Sequence, residues 1–164
     1  MEASVVQVNI SPGGLPKRAI DEGIIGPLGI EGDVHAHPQI HGGPLQAVLL
    51  IAAEVVDALI ERGYPLFYGA MGENVTTRGI AIRDLRIGDQ LRVGGAVLEI
   101  TKPRGPCSAL DIYGESLKRD VYDAQVKRRD PASPKWGMSG LYASVVRPGP
   151  VRAGDPVALL STLA

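Results

Sequence analysis

The chain has one cysteine, Cys107, in the run Thr101-Lys102-Pro103-Arg104-Gly105-Pro106-Cys107-Ser108-Ala109-Leu110. Two prolines flank Arg104-Gly105, so the backbone turns sharply and a cation lies close in sequence to the thiol. If Cys107 opens a short helix through Leu110, unpaired backbone N–H groups join Arg104 in favouring thiolate over thiol. Such a sulfur is a nucleophile, a sulfur acceptor or a soft metal ligand. The bland alternative is a cysteine packed in the core and chemically inert.

A second concentration of chemistry precedes it. All three histidines, His35, His37 and His41, fall between positions 35 and 41. His-x-His followed by a third histidine could bind zinc, with Asp33 as a further ligand or an outer partner, although no His-Glu-x-x-His motif supports it. The same residues also read as a solvated loop. In a third reading, His41-Gly42-Gly43 is an anion-binding turn whose glycines let backbone N–H groups approach a phosphate or pterin. Asn74, in Gly72-Glu73-Asn74, offers a donor and an acceptor to a pterin edge or equally to a neighbouring turn. Lys102, Arg104, Arg78 and Arg83 are candidate phosphate contacts, with Arg83 better explained as a solvated strand-edge residue.

These groups need elements to hold them. Ser4 to Ile10 alternates as a first strand and ends in Ser11-Pro12-Gly13-Gly14. From there to Pro44 the pattern predicts a long, mostly irregular segment anchored by Ile24, Ile25 and Ile30. Gln46 to Ala52 reads as a buried strand, followed by helical spacing that Arg62-Gly63 and Pro65 stop. The sharpest local prediction is the hairpin Gly88 to Thr101, turned by Gly94-Gly95. It pairs Val93 with Ala96, Leu91 with Leu98 and Asp89 with Ile100 on one mostly apolar face. Val75 to Arg78, Leu141 to Val146 and Pro156 to Leu160 are further strands, and Ser116 to Val126 is a helix capped by Ser116. Arg86-Ile87-Gly88-Asp89 is echoed by Arg152-Ala153-Gly154-Asp155, most simply because a Gly-Asp turn is a common way into a strand.

The chain is 164 residues long and 45% hydrophobic, enough for one core, so residues 1–164 read as a single domain. Twenty-one glycines and 13 prolines scattered between short apolar runs mark a mainly β fold. A net charge of −1 supplies no field that would draw the whole chain to nucleic acid or anionic lipid. The apolar run Ala47 to Ala53 is too short to span a membrane. One cysteine closes no internal disulfide, and the first ten residues lack a secretory pattern, so a cytoplasmic location is expected.

Taken in order, Gly29-Ile30-Glu31-Gly32-Asp33, His41-Gly42-Gly43 before Ala47-Val48, Gly72-Glu73-Asn74, Ile87-Gly88-Asp89, Pro103-Arg104-Gly105-Pro106-Cys107 and Gly154-Asp155 resemble the MOSC family. The family is named after the carboxy-terminal domain of molybdenum-cofactor sulfurase. The resemblance implies a closed or partly closed β-barrel, like the barrel domain of pyruvate kinase, with a few peripheral helices. It also implies molybdenum cofactor (molybdopterin) binding, with Cys107 as molybdenum ligand or sulfur carrier. Many stand-alone members carry a charged residue soon after the His-Gly-Gly turn and an arginine before a late Gly-x-Tyr. Here Pro44-Leu45-Gln46 and Met138-Ser139-Gly140-Leu141-Tyr142 stand instead.

Three functions remain open at this point. In the first, Cys107 ligates molybdenum, Arg104, Lys102, Asp33 and His41-Gly42-Gly43 hold the cofactor, Asn74 positions the pterin, and an N-hydroxylated compound is reduced. That reaction needs an external electron donor, since the chain has neither an iron–sulfur cysteine cluster nor a dinucleotide glycine turn. In the second, Cys107 carries persulfide sulfur received from a cysteine-desulfurase-type partner, on which any pyridoxal phosphate would reside. In the third, His35, His37 and His41 bind zinc.

Overall fold

The computed structural model describes residues 2–34 and 42–161, so all three histidines, and with them the zinc reading, lie outside the described residues. Among the described residues, eleven strands and three short α-helices make up a mainly β fold. The strands are β1 (Ser4–Ile10), β2 (Arg18–Ile20), β3 (Glu22–Gly26), β4 (Gly29–Ile30), β5 (Val48–Ala52), β6 (Val75–Arg78), β7 (Gln90–Val93), β8 (Ala96–Pro103), β9 (Leu141–Arg147), β10 (Gly149–Arg152) and β11 (Val157–Ser161). The helices are α1 (Ala53–Glu61), α2 (Leu117–Val121) and α3 (Ala124–Lys127).

Eight strands form one sheet in the order β11-β7-β8-β9-β5-β6-β1-β2, and β10-β3-β4 form a second. The strand ladder does not close into the barrel that the resemblance implies. Its ends approach each other where the chain before β11 meets β1. Val5 N–H donates to the Asp155 carbonyl at 2.8 Å, Gly154 N–H to the Val5 carbonyl at 2.7 Å, and Val157 N–H to the Ala3 carbonyl at 2.9 Å. A single bridge, Ser4 to Pro156, accompanies them.

The Gly94-Gly95 hairpin has the expected register, Leu91 opposite Leu98 and Val93 opposite Ala96. Leu91, Val93, Ala96, Leu98 and Ile100 are all buried, joining the main core with Trp136, Leu141 and Val151. The segment before Pro44 is less irregular than expected: it contributes β2, β3 and β4, and β3 pairs with β10 through Ile25 opposite Gly149 and Val151 opposite Gly23. These strands are two to five residues long, too brief for a visible alternation.

The helix expected over Ser116 to Val126 is broken in two. Tyr122 is extended (φ −153°, ψ 148°), and the Asp123 carboxylate accepts the Val126 N–H at 2.8 Å as the cap of α3, whereas Ser116 makes no side-chain cap. The capping residue in mid-segment decided the break. The repeated Gly-Asp turn is structural in both places: Asp89 accepts the Arg86 N–H and Asp155 the Arg152 N–H.

One row across the sheet sets the position of everything that follows. Pro103 lies opposite Leu141, Leu141 opposite Leu50, Leu50 opposite Val75, and Val75 opposite Val8. Arg104 follows this row just after β8, Ser139 and Gly140 precede it just before β9, Glu73 and Asn74 precede it just before β6, and Asn9 follows it on β1.

Candidate functional site

The register row brings together residues that are remote in sequence. Arg104 is 6% exposed. Its backbone N–H donates to the Gly140 carbonyl at 2.9 Å, its side chain donates to the Ser139 carbonyl at 3.2 Å, and the Ser139 hydroxyl donates back to the Arg104 carbonyl at 2.6 Å. Gly140 makes this clasp possible. It has φ +106°, and a Cβ there would come within 2.8 Å of Leu49 Cδ1 and 3.1 Å of the Leu50 carbonyl. A buried guanidinium has five donors, and Ser139 takes one.

Burial pulls the Arg104 pKa down, opposed by the Tyr142 hydroxyl, the Cys107 thiol and the Glu73 carboxyl, all close enough to act on its charge. Cys107 itself is partly exposed and precedes a 3-10 turn over Ser108–Tyr113. Arg104 and Cys107 therefore lie within electrostatic range of each other. Tyr142 lies on the same side. Burial raises its pKa, Arg104 lowers it and Cys107 raises it. Lys102, opposite Tyr142 across the β8–β9 pairing, holds its ammonium 5.8 Å from the centre of the Tyr142 ring.

Glu73 is fully buried and within electrostatic range of Arg104. Its Oε2 accepts the Gly69 N–H at 3.0 Å and the Thr76 hydroxyl at 3.2 Å, whereas Oε1 has no hydrogen-bond partner among the described residues. Burial pushes its pKa up, more strongly than the Gly69 N–H, its own backbone N–H, the Thr76 hydroxyl and Arg104 draw it down.

Asn74 and Asp33 are spent on the protein. The Asn74 amide oxygen accepts the Leu49 N–H at 3.0 Å and its nitrogen donates to Asp33 Oδ2 at 2.9 Å. Asp33 Oδ1 accepts the Ser11 N–H at 3.0 Å and pairs with the Lys17 ammonium at 2.7 Å, the two side chains 3% and 6% exposed. This knot ties β1, β6 and the start of β5 to the residue just before the histidine run. Gly42 and Gly43 take φ values of 83° and 84°, the left-handed region that a glycine turn requires.

Two other candidate cations are engaged elsewhere. Arg78 donates to Asp57 at 3.1 Å and to the Tyr68 hydroxyl at 2.8 Å, and Arg83 donates to the Pro134 carbonyl at 2.7 Å. Sequence reasoning missed Lys17, Ser139, Tyr142 and the role of Glu73. The only signals were a Gly-Glu-Asn tripeptide and a Gly-x-Tyr stretch.

Fold and site define a mainly β protein in which a partly exposed cysteine stands beside a buried arginine. A family model for the MOSC domain matches residues 37–158, and the chain belongs to that family. It is 32% identical to the protein YiiM of Escherichia coli over 156 residues, 92% of this chain and 65% of YiiM, so it spans just under two thirds of that relative's length. The crystal structure of E. coli YiiM superposes on all of this chain and 72% of the other with a TM-score of 0.68 and 27% identity. A protein of Gibberella moniliformis named a reductase is 31% identical over 96 residues, 56% of this chain and 15% of that protein.

Proposed function

We propose that the chain binds the molybdenum cofactor beside Cys107 and reduces N-hydroxylated compounds with electrons from an external donor protein. The observation that carries this reading is the convergence of the Cys107 thiol, the Arg104 guanidinium and the Tyr142 hydroxyl in a MOSC domain. The donor set fits the group. A thiolate is a soft ligand of the kind molybdenum takes, and Arg104 and Lys102 are cations suited to the cofactor's phosphate, as is the glycine turn at Gly42-Gly43. The cofactor, when bound, supplies a redox-active metal that passes electrons to the substrate.

The protein's own residues do the rest. Cys107 would hold the metal. Arg104, fixed by Ser139 and Gly140, presents its remaining donors without needing to be ordered on binding. Asn74 and Asp33 act at one remove: with Lys17 they form a buried polar knot that steadies the chain at Asp33. The relative named a reductase supports the reductive reading.

Elemental analysis of protein made in a host that synthesises the cofactor tests it. Molybdenum is expected in the wild type and absent from Cys107→Ser. A molybdenum-free wild type bearing a cyanide-labile sulfur on Cys107 would transfer the assignment to the sulfur-carrier reading.

A further inference from the structure

Reduction of an N-hydroxylated compound breaks an N–O bond, takes up two electrons and two protons, and leaves an N–H compound and water. The departing oxygen needs a proton inside the protein. Glu73 is fully buried, with Oε2 bonded to the Gly69 N–H and the Thr76 hydroxyl and Oε1 bare. An ionised carboxylate with a naked oxygen in that position is expensive, whereas a neutral carboxylic acid carries a proton on it. Burial raises the Glu73 pKa in the same sense.

The charged or titratable groups that face Glu73 are few. Arg104, after β8, lies on the side of Cys107; Tyr113, on the 3-10 turn, lies on another, with Arg18 of β2 in range of the same phenol. From β1 and β6 the neutral Asn9 and Thr76 bond each other at 3.2 Å. Tyr113 is half-buried, its hydroxyl donating to the Ala70 carbonyl at 2.7 Å, and its phenol lies within electrostatic range of Glu73.

We propose that Glu73 is the internal proton store of this site, giving its proton towards the oxygen that departs near Cys107 and regaining it from solvent past Tyr113. This rests on the reductive reading. In the step, the Glu73 O–H bond breaks and its proton passes, on the side of Arg104, to the departing oxygen. That oxygen keeps the N–O bonding pair and leaves as water. The electron pair supplied by the reduced donor protein stays on nitrogen, which takes the second proton from solvent. The carboxylate left behind keeps the Gly69 and Thr76 donors and the nearby positive charge of Arg104.

Infrared spectroscopy of the cofactor-free protein reads the store directly. A protonated-carboxyl C=O band is expected at pH 7 in the wild type and is expected to be missing from Glu73→Gln. On samples matched for molybdenum content and driven by a reduced viologen dye, Glu73→Gln should lower kcat by about a hundredfold with KM unchanged. It should also lose the fall in rate at alkaline pH that Glu73→Asp retains. Should Glu73→Gln fail to fold, Tyr113→Phe carries the test, with kcat lowered at unchanged molybdenum content. Absence of the band in the wild type, or variants with wild-type kcat and pH profile, would overturn the proposal. A wild type that shows the band but binds no molybdenum defeats the reductive reading and removes the proton's destination, while the neutral buried acid stands.

Discussion

Arg104 is held by carbonyls and not by a carboxylate, which leaves its charge available to whatever binds beside Cys107. A lysine at this position keeps a charge but lacks the planar fork that reaches Ser139 and still presents free donors. Arg104→Lys is therefore expected to lower molybdenum affinity by about tenfold to a hundredfold, read as molybdenum per chain at limiting cofactor supply, with an unchanged far-ultraviolet circular dichroism spectrum. A variant as rich in metal as the wild type would remove Arg104 from the cofactor's holding. Lys17 is a different kind of residue. Its ammonium and the Asp33 carboxylate are both almost fully enclosed, so truncating one strands the other. Lys17→Met should cost about 3 kcal/mol in urea denaturation, and Lys17→Met with Asp33→Asn should recover part of it. Equal stabilities for the single and double variants would show that Asp33 finds another partner.

At the level of elements, the site depends on where β8 ends and β9 begins. Gly140→Ala would place a methyl group against Leu49, Ile51 and the Leu50 carbonyl at a left-handed φ. Strain and overpacking together predict a loss of about 2–4 kcal/mol, measured by urea denaturation, and a displaced Arg104. A stable Gly140→Ala protein with unchanged molybdenum content would show that the β8–β9 junction yields without moving the arginine. The elements themselves were legible in the sequence to unequal degrees. The Gly94-Gly95 hairpin declared its register because two glycines and a two-residue alternation agree. β2, β3 and β4 are too short to show a period, and the break between α2 and α3 turned on a single capping carboxylate, Asp123. Cys107 and Arg104 stood out as a short-range motif. The Ser139–Gly140 clasp and the Lys17–Asp33 pair did not, because each joins chain segments whose adjacency exists only once β8, β9, β6 and β1 are paired.

At the scale of the whole molecule, a row of residues running through Pro103, Leu141, Leu50, Val75 and Val8 carries both the core and the site, so site chemistry and global stability are linked. Glu73, two residues before Val75, makes the link measurable. A carboxyl whose pKa is raised by burial binds its proton more tightly in the folded than in the unfolded chain. Below the unfolded value of about 4.3 both states are protonated and Glu73 contributes no slope. As pH rises above that value the unfolded chain ionises first, so folding stability falls until the folded carboxyl ionises as well. Glutamine cannot ionise, and the Tm difference between Glu73→Gln and wild type should shift in favour of the variant as pH is raised from 4 through neutrality. The two proteins differ only at position 73, so the divergence between their curves is assigned to Glu73. Parallel curves across that range would mean that the buried acid ionises at its ordinary pH, and the fold would then have to supply Oε1 with a donor that its neighbours do not provide.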